Sequence, residues 1–181
     1  MNVKHMEEIL EIPEGIKAEI AKNHVQMTGK RGTVTKDFKD PHIQLAVSDG
    51  RIVISAENAT KREKRQLFTI KAHLKNLFKG AAEGHVYRLK ICSGHFPMNV
   101  NFQNNELVVK NYLGEKVPRK LPIDPDVKVD VKGEVVELEG VSKEKVGKAA
   151  SSIELLTRRV GFDRRIFQDG IYIIHKDGKD I

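Results

Sequence analysis

Ile43-Gln44-Leu45-Ala46-Val47-Ser48-Asp49-Gly50-Arg51-Ile52-Val53-Ile54 sets apolar side chains at every second position on both sides of an Asp-Gly pair. A period of two residues around a central turn pair predicts a β-hairpin with one buried face. Met98-Asn99-Val100-Asn101-Phe102-Gln103-Asn104-Asn105-Glu106-Leu107-Val108-Val109 lies over it at a shift of 55. There Asn104-Asn105 stands where Asp49-Gly50 stood, and both pairs tolerate the positive φ of a tight turn.

The pattern repeats outward from this hairpin. Ile12-Pro13-Glu14-Gly15-Ile16-Lys17-Ala18-Glu19-Ile20, followed by Val25-Gln26-Met27-Thr28-Gly29, falls at a shift of 111 onto Ile123 to Val131 and Val136 to Gly140. Ile12/Ile123, Lys17/Lys128, Val25/Val136 and Gly29/Gly140 are identical. Each copy predicts another hairpin. Two helices complete the set. Thr60-Lys61-Arg62-Glu63 has the form of a capping box, and Leu67, Ile70, Leu74, Leu77 and Phe78 continue as an apolar stripe that Gly80 should end. A second helix should start near Ser142 and present Val146, Ala149, Ala150, Ile153 and Leu156 on one face.

Hairpin, hairpin, helix thus occurs twice, with the hairpins in swapped order. The expected fold is α+β: two similar small domains, 1–83 and 84–181, each an antiparallel β-sheet packed against one α-helix.

Of the 181 residues, 39% are hydrophobic and 31% charged, a mixture that fits a folded chain and disfavours both disorder and a membrane location. No stretch approaches the ~20 apolar residues of a spanning helix, so no membrane partner is expected. The 32 Lys and Arg against 25 Asp and Glu leave a net charge of +7. Residues 61–90 alone hold nine basic and two acidic residues. A second dense spot gathers Arg158, Arg159, Arg164 and Arg165 around Asp163. Such clustering favours a polyanionic partner. Cys92 stands alone, which precludes an internal disulfide and fits a reducing, cytoplasmic setting.

No catalytic set emerges. The seven histidines include none at metal-ligand spacing from another His, Cys or carboxylate, so neither metal nor cofactor is expected. His73 should face solvent beside the lysines. Thr28-Gly29-Lys30-Arg31-Gly32-Thr33 lacks the spacing of a phosphate loop and should join two strands, with contact to an RNA backbone left open as a second role. Ser93-Gly94-His95 has no accompanying acid or oxyanion-hole signature. An enzyme acting on a small molecule is not expected.

The C-terminal segment Arg158-Arg159-Val160-Gly161-Phe162-Asp163-Arg164-Arg165-Ile166-Phe167-Gln168-Asp169-Gly170-Ile171-Tyr172-Ile173-Ile174-His175-Lys176 interleaves guanidinium groups with aromatic rings. Arginine matches phosphate in a two-pronged geometry, and aromatic rings stack on unpaired bases. The blander alternative has Phe167 and Ile171 docking the tail on the second domain. For the four arginines, RNA is favoured.

Arg165-Ile166-Phe167-Gln168-Asp169-Gly170-Ile171-Tyr172-Ile173, followed by Lys176, resembles the C-terminal signature of the universal large-subunit ribosomal protein six family. The resemblance is to the archaeal and eukaryotic branch, called protein nine in the eukaryotic scheme. His95-Phe96-Pro97-Met98-Asn99-Val100 and Ile12-Pro13-Glu14-Gly15-Ile16 resemble two further stretches of that branch, and the likeness runs from about Ile9 to Lys176. It implies two similar domains and a structural constituent of the large ribosomal subunit. It also implies binding of large-subunit (23S-type) rRNA through the second domain and its tail, near the sarcin–ricin loop and the stalk base where translational GTPases act. Neighbouring proteins at the stalk base are implied as partners.

The implied RNA-facing residues are Ser93, Gly94, His95, Lys116, Arg119, Lys120, Arg158, Arg159, Arg164, Arg165, Phe167, Tyr172 and Lys176. Arg158 to Phe162 stand where the family usually has a more polar, Lys-containing stretch. The basic 61–90 segment falls largely in the first domain, which the family does not use as its principal anchor. Two rival classes are an RNA-processing enzyme or chaperone on the same basic sheets, and a protein–protein module indifferent to RNA.

Overall fold

The computed structural model describes residues 3–48, 50–94, 96–163 and 165–181. The chain divides between Gly84 and His85 into two compact units.

In the first unit, β1 (Val3–Glu11) is followed by β2 (Lys17–Ala21), β3 (His24–Gly29), β4 (Gly32–Asp37), β5 (Ile43–Ser48), β6 (Arg51–Ala59) and α1 (Lys61–Ala82). All pairings are antiparallel, and they form two sheets, β2-β3-β4 and β1-β6-β5. Period-two alternation buries Val25 and Met27 of β3 and Ile52 and Ile54 of β6 completely. Leu67 and Leu74 of α1 close over them, fully buried as well. Each such side chain contributes about 1.5–3 kcal/mol by leaving water.

The capping box forms as its residues predict. The Thr60 side chain accepts from the Arg62 amide at 3.1 Å, and Glu63 accepts from the Thr60 amide at 2.9 Å. The other end differs from expectation. Gly80 does not stop the helix, which runs on to Ala82 with Gly80 buried inside it. The chain leaves at Gly84, φ +84°, whose amide donates to the carbonyls of Lys79 and Gly80. The Gly29–Gly32 turn packs against this end of α1: the Arg31 amide donates to Ala81 O at 3.1 Å, and a Cβ on Gly29 would lie 2.4 Å from that same oxygen. The basic glycine turn therefore seats strands against a helix end, a packing task. His73 also departs from expectation. It is half-buried, with Nδ1 3.2 Å from Lys36 Nζ and its ring 6.2 Å from that of Phe38.

In the second unit come β7 (His85–Cys92), β8 (Asn99–Gln103), β9 (Glu106–Lys110), a 3-10 turn (Tyr112–Gly114), β10 (Arg119–Pro122), β11 (Lys128–Lys132) and β12 (Val135–Gly140). The unit ends with α2 (Lys143–Leu156), β13 (Gly170–Lys176) and β14 (Lys179–Asp180). The sheets are β10-β9-β8 and β11-β12-β7-β13-β14. Leu89, Leu107, Leu138, Val146, Ile153 and Ile171 form a fully buried core.

The two units share one plan in one order. A lone strand, a three-stranded meander, a hairpin and a helix occur in each, so β2-β3-β4 corresponds to β8-β9-β10 and β5-β6 to β11-β12. The swapped hairpin order expected from the shifts of 55 and 111 is therefore not present: Lys17 corresponds to Asn99 and Lys61 to Lys143, an offset of 82. Strand alternation permits many apolar-on-apolar alignments, and the shorter-range likeness was one of them. Each unit also carries two sheets in place of one. Asp49, half of one expected turn, lies outside the described residues; Asn104 and Asn105 both take positive φ, 53° and 59°. Among the described residues, no helix is long and apolar enough to cross a membrane.

Candidate nucleic-acid interface

Helix α2 ends at Thr157, and this residue anchors the segment beyond it. Its carbonyl accepts from the Tyr112 hydroxyl at 2.5 Å, and its Oγ1 accepts from the Ile171 amide at 2.9 Å. Thr157 thereby ties the helix end, the 3-10 turn and β13 together while only 4% exposed. Residues 158–163 and 165–169 lie between α2 and β13 outside regular structure. The amides of Ile166 and Phe167 donate to Asp163 O, which tightens the middle of the loop. At its far end, buried Asp169 accepts from the Gly94 amide at 2.7 Å. The Ser93-Gly94 turn and the C-terminal loop are thus one structure.

Between the loop, the helix end and the 3-10 turn lies a cavity of about 280 Å³. Four aromatic rings line it: Tyr112, Phe162, Phe167 and Tyr172. Phe162 meets Phe167 edge-on at 4.9 Å, and the Arg159 guanidinium lies 4.3 Å from the Phe162 ring centre. Arg158 and Arg159 line the cavity from exposed positions, whereas Asp169 lines it from a buried one. Leu113 and Leu155 add apolar wall. Leu113 sits in the left-handed region at φ 48°, ψ 36°, next to Asn111 at φ 58°. A leucine there is strained by roughly 1–3 kcal/mol, and surrounding contacts must hold it in place.

The cations fall into two groups. Arg119 is committed inside the protein: both ends of its fork meet Glu115, at 2.8 and 2.7 Å, and Nη1 reaches Leu156 O at 2.5 Å. The bond to Glu115 holds that carboxyl below its ordinary value and raises Arg119 in turn. Arg119 also covers the Tyr112 ring at 4.3 Å, although burial outweighs its charge and pushes the phenol upward. Arg165 is held by Asp163 at 2.8–3.2 Å, which lowers the Asp163 carboxyl. Lys120 lies 3.4 Å from Glu106.

Arg158, Arg159, Lys116 and Lys176 are different. Each is exposed, and none has an ion-pair partner among the described residues. Lys176 stands at the other end of β13 from Gly170, roughly 20 Å along the strand. His95 and Arg164 lie outside the described residues.

Of the expected site residues, the structure gathers Gly94, Arg158, Arg159, Phe167 and Tyr172 around one cavity, with Arg119 bracing it from behind. Ser93 is exposed on the adjoining turn. Lys116, Lys120 and Lys176 do not line the cavity. Tyr112, Leu113, Glu154, Thr157 and Phe162 do take part and were not singled out from sequence. Phe162 lay inside the aromatic–arginine run and was legible there. Tyr112 carried no signal beyond a lone tyrosine between a strand and a glycine. Among the described residues, no group of three or more His, Cys, Asp or Glu could hold a metal ion.

Residues 12–84 and 96–170 each match the family described as Ribosomal protein L6. Over 178 residues the chain is 41% identical to the large ribosomal subunit protein uL6 of Sulfurisphaera tokodaii, covering 98% of this chain and 96% of the relative. Its counterpart in Methanosarcina mazei is 41% identical over 174 residues, with 96% and 99% covered. That of Nanoarchaeum equitans is 42% identical over 178 residues, with 94% and 93% covered.

Proposed function

We propose, because this chain belongs to the ribosomal protein L6 family, that it grips large-subunit RNA through the second unit and the loop between α2 and β13. It is a structural protein of the large ribosomal subunit in the cytoplasm, and not an enzyme. The observation that carries the RNA contact is the pair Arg158 and Arg159: two exposed arginines on a pinned loop, neither in an ion pair among the described residues. Fixed, uncompensated cations release counterions when they meet phosphates, and that release drives binding to nucleic acid. Lys116 and Lys176 extend the contact electrostatically. Arg165 contributes less, since Asp163 already holds it. Shape and phosphate spacing, rather than base sequence, supply most of the selectivity.

The RNA gripped is the region of the sarcin–ricin loop and the stalk base, where translational GTPases dock, and the neighbouring stalk-base proteins are the protein partners. Support comes from the C-terminal signature Arg165 to Ile173, which lies where the loop meets β13. The test is hydroxyl-radical footprinting of the full chain on archaeal large-subunit RNA across a salt series. Backbone protection confined to that region, weakening steeply with salt, is the expected result. Protection elsewhere, or binding indifferent to salt, would refute the placement or the electrostatic grip respectively.

A further inference from the structure

The cavity behind Arg158 and Arg159 has a composition that phosphate binding alone does not require. Phosphate contacts need exposed cations, yet here four rings and two carboxylates stand behind the cations. The two acids are placed inward: Asp169 is buried and Glu154 half-buried. Glu154 uses Oε1 to accept from the Ile173 amide, and Oε2 has no partner among the described residues. Such a lining repels phosphate and attracts a planar group that donates hydrogen bonds. The exposed arginines do the reverse. A cavity of about 280 Å³ lies just under the range typical of drug-sized ligands, so one ring system fits and a dinucleotide does not.

We propose that the cavity formed by Tyr112, Glu154, Arg159, Phe162, Phe167 and Asp169 receives a single unpaired, amino-bearing base swung out of the bound RNA. This inference rests on the RNA-binding reading above and adds a base-accepting subsite to it. The base enters ring-first and stacks against the aromatic wall, Glu154 Oε2 meets its exocyclic amino group, and Arg158 and Arg159 hold the flanking phosphates. Unpaired bases are the parts of folded RNA that splay out and stack on aromatic side chains. The strain at Leu113 serves the same cavity: the 3-10 turn is bent so that Tyr112 and Leu113 both wall it.

The test uses the full chain and archaeal large-subunit RNA, with three readouts for the wild type, Phe162→Ala and Phe162→Tyr. Phe162 is 38% exposed, so neither change threatens folding, and circular dichroism checks this. Base-face modification, with dimethyl sulfate for adenine and cytosine and kethoxal for guanine, should show one unpaired base shielded by the wild type. Phe162→Tyr keeps the ring and should keep the shield. Phe162→Ala should uncover that base and bind about ten-fold more weakly, as expected for losing one base–aromatic stack. Its salt slope should stay unchanged, because no phosphate contact is lost. Undiminished affinity and unaltered base reactivity in Phe162→Ala would overturn the subsite, as would a weakened affinity with a reduced slope. The hydroxyl-radical backbone footprint separates the two proposals: if it persists while no base is shielded, only the subsite falls.

Discussion

The Tyr112 hydroxyl donates to the Thr157 carbonyl across 45 residues of chain, at 2.5 Å and out of contact with water. One end of that bond is the 3-10 turn, and the other is the residue that caps α2. Without it the helix end and the turn would be joined only by side-chain packing and the Arg119 bridge. Tyr112→Phe should therefore cost about 1–3 kcal/mol, the penalty for stranding a buried carbonyl. Denaturant melts of wild type and variant would check it, and an unchanged midpoint would contradict the role given to this bond.

The Gly29–Ala81 contact sets up a paired comparison. A methyl group on Gly29 would press into the Ala81 backbone, which cannot swing aside, whereas nothing lies within 4 Å of a Cβ on Gly94. Gly29→Ala should destabilise by about 1–3 kcal/mol or more, and Gly94→Ala by less than ~0.5 kcal/mol. Thermal unfolding of the two variants, side by side, decides the matter.

Binding to RNA should depend on the outward arginines more than on the paired one. Replacing both Arg158 and Arg159 by Ala should reduce the slope of log affinity against log salt by up to ~2. Arg165→Ala should change it by less than half as much, because Asp163 already engages that guanidinium. Equal effects per arginine removed would show that the internal ion pair does not restrain Arg165.

Acid should destabilise the folded protein. Among the described residues, four carboxyls are held below their ordinary values: Glu63 by the Thr60 hydroxyl, Glu115 by Arg119, Asp124 by the Asp126 amide and Lys145, and Asp163 by Arg165. The folded chain therefore binds fewer protons than the unfolded chain in the carboxylate range. Their contribution is complete above the ordinary values of 4.5 and 3.8 and disappears as pH falls through the lowered, folded ones. Stability tracked from about pH 7 to about pH 3 should decline with that sign, and Glu115→Gln should flatten part of the decline.

Local features were legible in the sequence because local physics creates them. The capping box at Thr60 needs only residues 60–63, and the stripe from Leu67 to Phe78 needs only the helical period. The hairpin at Asn104-Asn105 needed only two residues content at positive φ. What the sequence hid depends on distant partners. The end of α1 was misplaced because Gly80 is used for close packing inside the helix, and chain reversal is left to Gly84. The internal repeat was mis-aligned because alternating strands resemble one another at many offsets. The cavity escaped notice because its walls come from the Tyr112–Gly114 turn, the end of α2, the loop beyond it and β13. Leu113 gives no warning of its left-handed backbone, since nothing about leucine favours it.

Strand β13 lies along β7 in the second unit, whereas β1, the counterpart of β7 in the first, pairs with β6 alone among the described residues. The same lobe is therefore finished in two ways. In one, the chain's own tail adds β13 along β7, so the segment that carries the family signature covers that edge and becomes the outer strand itself, backed by β14 only at His175 and Lys176. In the other, the outer edge of β1 has no strand partner among the described residues and carries charge: Lys4, His5, Glu7 and Glu11 are exposed along β1. A chain cut short before Gly170 would keep Arg158 and Arg159 but lose the Ile171–Thr157 bond that anchors their loop, and it would leave the edge of β7 open to self-association, visible as concentration-dependent sedimentation.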